Sequence, residues 1–340
     1  MTERQYAKAG VDFGVLDAAK RRIGQAVAST RTELSRGLVG AFGGMIRVPD
    51  GIRQPVLVMS TDSVGTKVLV ARMAGVFDTV GEDIVNHSVN DILVHGATPI
   101  AFQDYIGFNG LTETQMAGIV EGVARGCRIH GMALTGGETA SLPDIYAPGD
   151  YDLAGTIVGV VEETAALHGD RIAAGDILVG YQASGLHTNG YTLARKVCFD
   201  RLKLSVDSQV SELGTSLGTA LLAVHRSYFH ALKPVLGSVH GITHITGGGI
   251  PGNLVRVLPS HVDAVIDSRS WEWPPLFTFL MRAGQISETE MREVFNIGVG
   301  LLAAVPPGEV DRVRTAARSV GVETWIAGDI RAGQRGVRFT

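Results

Sequence analysis

The stretch PVLVMSTDSVGTK, from Pro55 to Lys67, sets the reading of the chain. Pro55–Ser60 is an apolar run of strand length, which suits burial on both faces. It runs directly into Thr61–Lys67, where Asp62 stands at the strand exit and Gly65, Thr66 and Lys67 follow. A carboxylate suits a divalent cation, backbone N–H groups beside a glycine suit phosphate, and the lysine adds positive charge. The order G-x-x-x-x-G-K-[ST] is absent, so this is not a P-loop. A strand-ending turn with a solvated lysine is the plain alternative.

Working outward, Gly81–Gly96 has helical period. Val85, Val89, Ile92 and Leu93 form one arc, and Asp83, His87, Asn90 and Asp91 the opposite one, which predicts an acid-and-amide face turned away from the core. Asn90 and Asp91 are candidate metal ligands or the solvated side of an amphipathic helix; His87 is read only as the latter. Thr112–His130 is predicted as a second helix, with a capping box at Thr112 and Gln115 and a stop at Gly131. Thr135–Ala140 (TGGETA) places Glu138 after Gly136 and Gly137, a carboxylate for Mg²⁺ where backbone can approach a ligand, or else an ordinary turn. Leu153–Val161 reads as a strand. The charged, irregular segment Glu162–Ala174 marks a division into domains 1–165 and 166–340.

In the second half a strand at Asp176–Tyr181 feeds SGLHTNGY (Ser184–Tyr191), followed by a helix to about Phe199. GITHITGGGIPG (Gly241–Gly252) is another strand-to-glycine-loop unit that opens a helix, and Asp263–Asp267 and Gly298–Val305 read as strands. His187 and His244 lie beside glycine turns rather than in apolar stripes, as acid–base candidates or structural histidines. Gly247–Gly252 formally satisfies G-x-G-x-x-G but contains Pro251 and lacks the acid expected about 20 residues on, so a helix start that binds some anion is the better reading. Strands and helices alternate throughout, which predicts a mixed α/β, two-domain protein.

Composition excludes several classes. The 340 residues include 44 glycines, close to twice the usual ~7%, without a G-X-Y period. Thirty Lys+Arg against 34 Asp+Glu, with no basic run, argue against a nucleic-acid partner. No apolar stretch approaches the ~18 residues of a membrane helix. Cys127 and Cys198 are too few for a disulfide framework and are read as reduced. Glu3, Asp12 and Asp17 with no apolar run speak against a signal peptide. A cytoplasmic protein of a reducing compartment is expected.

The order of the blocks carries more than any one of them. STDSVGTK, VNDILVHGATPIAFQDY, TGGETASLPDIY, DYDLAGTIVGVVE, GLHTNGY, HITGGGIPGN and FNIGVG strongly resemble the phosphoribosylformylglycinamidine cyclo-ligases of de novo purine synthesis, also called aminoimidazole ribonucleotide synthetases. The likeness runs from YAKAGVD at Tyr6 to Gly328 and includes W-x-W-P at Trp271–Pro274. It implies ATP-dependent ring closure of formylglycinamidine ribonucleotide, a homodimer paired through N-terminal α/β domains, and a second α/β domain. By the resemblance, Asp62, Asn90, Asp91 and Glu138 would hold Mg²⁺ on the ATP phosphates. Gly43, Gly44, Gly65, Thr66, Lys67, Gly136 and Gly137 would line the nucleotide. Ser184, His187, Asn189, His244 and Gly247, Gly248 and Gly249 would face the ribonucleotide, with His187, His244, Asp62 and Asp91 as the candidate catalytic groups. The chain departs from the family pattern at Ser63, usually glycine, at Arg31-Thr32, where a basic stretch is thinner, and at Leu222–Tyr228, where the family reads L-x-P-T-x-I-Y. Other readings are a different ATP-using phosphotransferase of the wider superfamily and a paralogue that binds nucleotide without catalysis. A selenophosphate synthetase would want a reactive cysteine near the N-terminus, whereas the first here is Cys127.

Overall fold

Each half of the chain builds its own sheet. The computed structural model describes residues 13–37 and 43–340. The YAKAGVD block and most of the GLVGAFGG loop therefore lie outside the described residues. The first half holds α1 (Phe13–Ala28), β1 (Pro55–Ser63), α2 (Lys67–Ala74), α3 (Asp78–Leu93), β2 (Thr98–Phe108), α4 (Glu113–Ile129), β3 (Ala133–Ser141) and β4 (Tyr151–Glu162). Its four-stranded sheet has the order β1-β4-β2-β3, antiparallel except for the β2–β3 pair, which α4 connects. The capping box forms as its residues predict: Thr112 Oγ1 accepts from Gln115 N, and Gln115 Oε1 accepts from Thr112 N.

Two glycines bring α3 and α4 into backbone contact. A Cβ on Gly81 would run into the Ile119 carbonyl, and one on Gly122 into the Asp78 carbonyl. The helix pair covers one sheet face with Val80, Ile84, Ile92, Ile119 and Val123, all fully buried. At ~25 cal/mol per Å² of apolar surface removed from water, such a face is what holds the layers together.

The second half contributes β5 (Ile177–Gln182), β6 (Gly241–His244), β7 (Val262–Ile266), β8 (Val299–Val305), β9 (Thr324–Ala332) and β10 (Val337–Phe339). They form a six-stranded sheet in the order β6-β8-β5-β9-β7-β10, antiparallel except for β7–β10. Every residue of β8 is buried, as its apolar sequence requires. The architecture is a mixed α/β fold of two domains. Among the described residues no helix is long and apolar enough to cross a membrane, and both cysteines are free and buried.

Three expectations change. Pro55–Ser60 is not enclosed on both faces: β1 is an edge strand, and Leu57 and Met59 are 48% and 65% exposed in the single chain. Glu138 does not sit in a glycine turn, because TGGETA lies inside β3. The polar arc of α3 does not face water either. Asp83, Asn86, His87 and Asn90 are buried, because the segment around His225 from the second domain lies over them and supplies partners to Asp83, Asn86 and Asn90, while Thr188 of the same domain meets His87.

Candidate active site

The site forms where α3 and the end of β1 meet β6 and two loops of the second domain. Asp83, His87 and Asp91 recur every fourth residue, so α3 presents them on one face. His87 Nε2 lies 2.8 Å from Asp62 Oδ2 and 3.4 Å from Asp91 Oδ2, so the two carboxylates converge on one ring nitrogen. His87 Nδ1 is 2.7 Å from Thr188 Oγ1. Asp91 also accepts from His244 Nδ1 at 2.8 Å and from Ser60 Oγ at 3.1 Å. With Nδ1 donating to the carboxylate, neutral His244 turns Nε2, its accepting end, toward His225 Nε2 at 3.1 Å.

Environment sets the charges. Burial works against charge on His87, but hydrogen bonds to Asp62 and then Asp91 outweigh it and hold its pKa up at about 9. Burial would raise Asp91; hydrogen bonds from His244 and His87 instead hold it well below the carboxylate range. Asp62 is lowered in the same way, burial being outweighed first by His87. Burial pushes His187 and His225 well below the ordinary imidazole value, and also lowers His244 against the pull of Asp91. One cationic and three near-neutral imidazoles thus lie together. His187 and His225 stack with ring centroids 4.0 Å apart. His187 holds a left-handed backbone (φ 61°), Ser184 N donates to its Nε2, and its Nδ1 is buried without a partner. Strain at a non-glycine residue of this kind collects at functional sites.

Asp62, Asp91 and His244 line a cleft of about 430 Å³ together with Thr246, Asn253 and Arg256. The glycine loop beside it is pinned by Asn253, whose Nδ2 donates to the carbonyls of Thr246, Gly247 and Gly249. Gly248 and Gly249 have positive φ, and a Cβ on Gly249 would strike the Arg292 carbonyl. Asn189 Oδ1 lies over Gly247, and the Ser184 hydroxyl donates to the Val224 carbonyl.

A second, larger cavity of about 900 Å³ lies on the open face of the N-terminal sheet beside α1. Gly44, Gly136, Gly137 and Glu138 line it with Gln103 and Tyr105. Glu138 pairs in register with Tyr105, which pairs with Ala154 and through it with Ser63. Asp62, one residue earlier, points to the opposite face. Glu138 is therefore three strands from Asp62 and across the sheet, and within one chain it does not join the Asp62–Asp91 pair. Gly65 and Thr66 lie at the domain seam instead, Thr66 Oγ1 being 3.2 Å from Thr192 Oγ1.

Two further residues depart from their expected roles. Lys67 does not reach out toward a phosphate: its first-turn position on α2 drives the side chain inward, to a 2.7 Å ion pair with Asp83 in which both side chains are fully buried. Its Nζ also donates to the carbonyls of Ala223 and His187. Asn90 is not free to ligate metal, because Nδ2 donates to the Arg226 carbonyl and Oδ1 accepts from Tyr228 N. Both residues clamp the domains together. The sequence reading missed His87, Thr188 and His225 as site residues. The i, i+4 repeat Asp83–His87–Asp91 was the available signal for the first.

Comparison with known proteins shows the family. Residues 44–161 match the AIR synthase related protein N-terminal domain and residues 173–339 its C-terminal domain. A protein of Sorangium cellulosum (strain So ce56) named phosphoribosylformylglycinamidine cyclo-ligase is 46% identical over 329 residues, 96% of this chain and 94% of the relative. The chain belongs to the phosphoribosylformylglycinamidine cyclo-ligase family. A family member of the same name from Desulfatibacillum aliphaticivorans is 44% identical over 330 residues, covering 96% of this chain and 95% of the relative. In solved structures the fold is similar to thiamine-monophosphate kinase from Stenotrophomonas maltophilia K279a (TM-score 0.69, 18% identity, 97% of this chain and 96% of that one). It is also similar to the hydrogenase maturation protein HypE in complex with ATP (TM-score 0.62, 19% identity, 92% and 86%). At these identities the likeness concerns the fold alone.

Proposed function

We propose that this chain is an ATP-dependent cyclo-ligase that closes formylglycinamidine ribonucleotide to aminoimidazole ribonucleotide, releasing ADP and phosphate in de novo purine biosynthesis. One observation carries the reading beyond family membership. A single cleft brings together Asp62 and Asp91 from the first domain with His244, the Thr246–Asn253 loop and Arg256 from the second. Ring closure needs such a meeting of two half-sites. The formyl oxygen is a poor leaving group, and transfer of a phosphoryl group to it converts it into a good one. The amidine then attacks the formyl carbon and phosphate leaves. Holding both partners in one frame supplies the orientation that makes the attack intramolecular in effect.

The donor set fits a divalent cation. Asp62 and Asp91 already converge on a positive group, the His87 ring, so the position is electrostatically built for a cation. Asp62 and Asp91 would hold Mg²⁺, which when bound neutralises charge on the ATP phosphates. Gly43, Gly44, Gly136 and Gly137 lie across the sheet from Asp62, so they would line a nucleotide held at Asp62 and Asp91 only from a second copy paired through the open face, while Gly65 and Thr66 would approach it from the domain seam. Asn189, Gly247, Gly248 and Gly249 would face the ribonucleotide, with Arg256 as a cation for its phosphate. His244 lines the cleft and would accept the amidine proton at Nε2 in exchange for that nitrogen's contact with His225, while His187 would order the loop behind it. The domain division falls at residues 165 and 166.

The exposed Leu57 and Met59 on edge strand β1, with half-exposed Tyr105 on the same open face, would be covered by a second copy. A homodimer paired through this sheet would bring another chain's surface onto the cavity that holds Glu138, with an interface above about 1,000 Å². The enzyme would work in the cytoplasm. Measuring ADP and inorganic phosphate tests the reaction. Both should appear in equal amounts only when formylglycinamidine ribonucleotide is supplied with ATP. ADP without phosphate would mean a kinase, and neither product would mean a binding protein.

A further inference from the structure

Asp62 and Asp91 do not face each other across empty space. His87 lies between them, and three features of its setting are those of a metal ligand rather than of a bystander. The first is spacing. Bonds of about 2.0–2.2 Å from nitrogen and oxygen to a small divalent ion put neighbouring ligand atoms roughly 3.0–3.4 Å apart. The edge from His87 Nε2 to Asp91 Oδ2 is 3.4 Å, inside this range, and that to Asp62 Oδ2 is 2.8 Å, slightly below it. The second is the far side of the ring. Ligating histidines almost always have their other nitrogen held by a hydrogen bond that fixes ring orientation. His87 Nδ1 lies 2.7 Å from Thr188 Oγ1. The third is the support behind the acid. Ligating carboxylates are themselves hydrogen-bonded, and Asp91 is held by His244 Nδ1 and Ser60 Oγ. His87 and Asp91 are four residues apart on α3, so one rigid helix face carries both.

Taking Asp62 and Asp91 as the divalent-cation pair, as proposed above, we infer that an entering ion displaces the proton from His87 Nε2 to solvent, that this nitrogen is then the third ligand, and that this makes the site prefer a first-row transition ion over Mg²⁺. The reason lies in donor chemistry. Mg²⁺ is hard, favours oxygen and keeps its water, whereas imidazole nitrogen suits the later divalent ions and is accepted by Mn²⁺ and Co²⁺. A carboxylate–imidazole–carboxylate set therefore gives Mn²⁺ or Co²⁺ a bond that adds little for Mg²⁺. The competing account is that His87 never ligates and serves only as a protonated bridge between the two acids.

The test uses the full chain, Mn²⁺ as the probe, and the variant His87→Gln. Wild-type protein with Mn²⁺ and ATP should show electron spin echo modulation from a directly bound imidazole ¹⁴N. In the variant that modulation should vanish, Mn²⁺ affinity should fall at least about tenfold, the lower end of what even an outer-shell change costs, and Mg²⁺ affinity should change much less. Mn²⁺ bound to wild type without nitrogen modulation would overturn the inference and leave the two-carboxylate site standing. Modulation that persists in His87→Gln would also overturn it, since the nitrogen would then come from another residue such as His244. If neither ion binds wild type with ATP present, the Asp62–Asp91 assignment itself fails along with the inference. Should His87→Gln not fold, His87→Asn carries the same comparison.

Discussion

Replacing Lys67 with methionine separates two accounts of this residue. Beside Gly65 and Thr66 it looks like a phosphate-binding lysine, but the structure spends it on Asp83. Both side chains are fully buried, Nζ to Oδ2 is 2.7 Å, and the pair also ties down Ala223 O and the His225 amide. Lys67→Met leaves the Asp83 carboxylate buried with one amide donor. Breaking one side of a buried ion pair costs about 3–5 kcal/mol, a large share of the ~5–15 kcal/mol that holds a native protein. Neutralising the other side as well, in Lys67→Met/Asp83→Asn, removes the orphan charge and keeps an acceptor for the His225 amide. The double variant should be more stable than the single one by at least ~1.4 kcal/mol, a coupling typical of residues in direct contact. Acid should narrow the deficit of the single variant. Burial raises the Asp83 pKa in the fold, so the neutral acid's contribution is full below the unfolded value of ~3.9 and is lost as pH rises through the folded value. Guanidinium unfolding, followed by far-UV circular dichroism and tryptophan fluorescence, gives the stabilities; ATP titration of the folded double variant gives the affinity, which should match wild type. The reasoning is refuted if Lys67→Met unfolds like wild type while ATP binding weakens. A lost charge-assisted hydrogen bond to phosphate would cost about 1.5–3 kcal/mol, roughly ten- to a hundredfold in affinity.

His244→Ala should lower turnover by about 10²–10⁴, as expected for loss of a general base; a variant with near-full activity would place the base elsewhere. Stability should fall on acidification below pH 6.5. Burial pulls His130 down to about 3, so the unfolded chain takes up a proton that the folded one refuses, and stability rises with pH between those values. His130 alone accounts for about 1.5 kcal/mol between pH 6.5 and 5, and a flat urea-midpoint profile over that range would contradict it. The exposed pair on β1 predicts that Met59→Glu with Leu57→Glu yields monomers in sedimentation velocity, where wild type at micromolar concentration sediments as a dimer.

What could be read from the sequence was local. Helix α4 is set by contacts three and four residues apart, and its cap at Thr112 and stop at Gly131 follow from residue type alone. The strands read at Leu153–Val161, Asp176–Tyr181, Asp263–Asp267 and Gly298–Val305 came out within two residues of β4, β5, β7 and β8, because apolar runs fit buried sheet, whereas β1 runs three residues past Ser60 and β2, β9 and β10 were not read as strands. The polar arc of α3 was equally legible, but periodicity says only which side is polar, not what covers it. The second-domain partners of Asp83, Asn86 and Asn90 lie more than 130 residues further along, at His225–Tyr228. For the same reason His87 passed for a solvated residue. TGGETA passed for a turn because glycine commonly makes one. Here Gly137 is small because a Cβ would strike the Asp104 carboxylate on the neighbouring strand, a constraint visible only once the sheet is assembled. Lys67 misled through its neighbours, its direction being fixed by the start of α2 rather than by the loop before it. His225 stood where the family pattern has threonine, and that departure was the one sequence-level mark of the histidine cluster it completes.

The fate of one oxygen atom tests the central claim most directly. Formylglycinamidine ribonucleotide labelled with heavy oxygen at the formyl group is converted in a single turnover with unlabelled ATP, and the products are weighed by mass spectrometry. If the formyl oxygen is the phosphoryl acceptor, as the meeting of the Asp62–Asp91 half-site with the His244 half-site implies, the label leaves inside inorganic phosphate, one atom per ring closed. Label recovered in water, with unlabelled phosphate, would contradict the account, for the ring would then close by direct condensation and ATP hydrolysis would be a separate event.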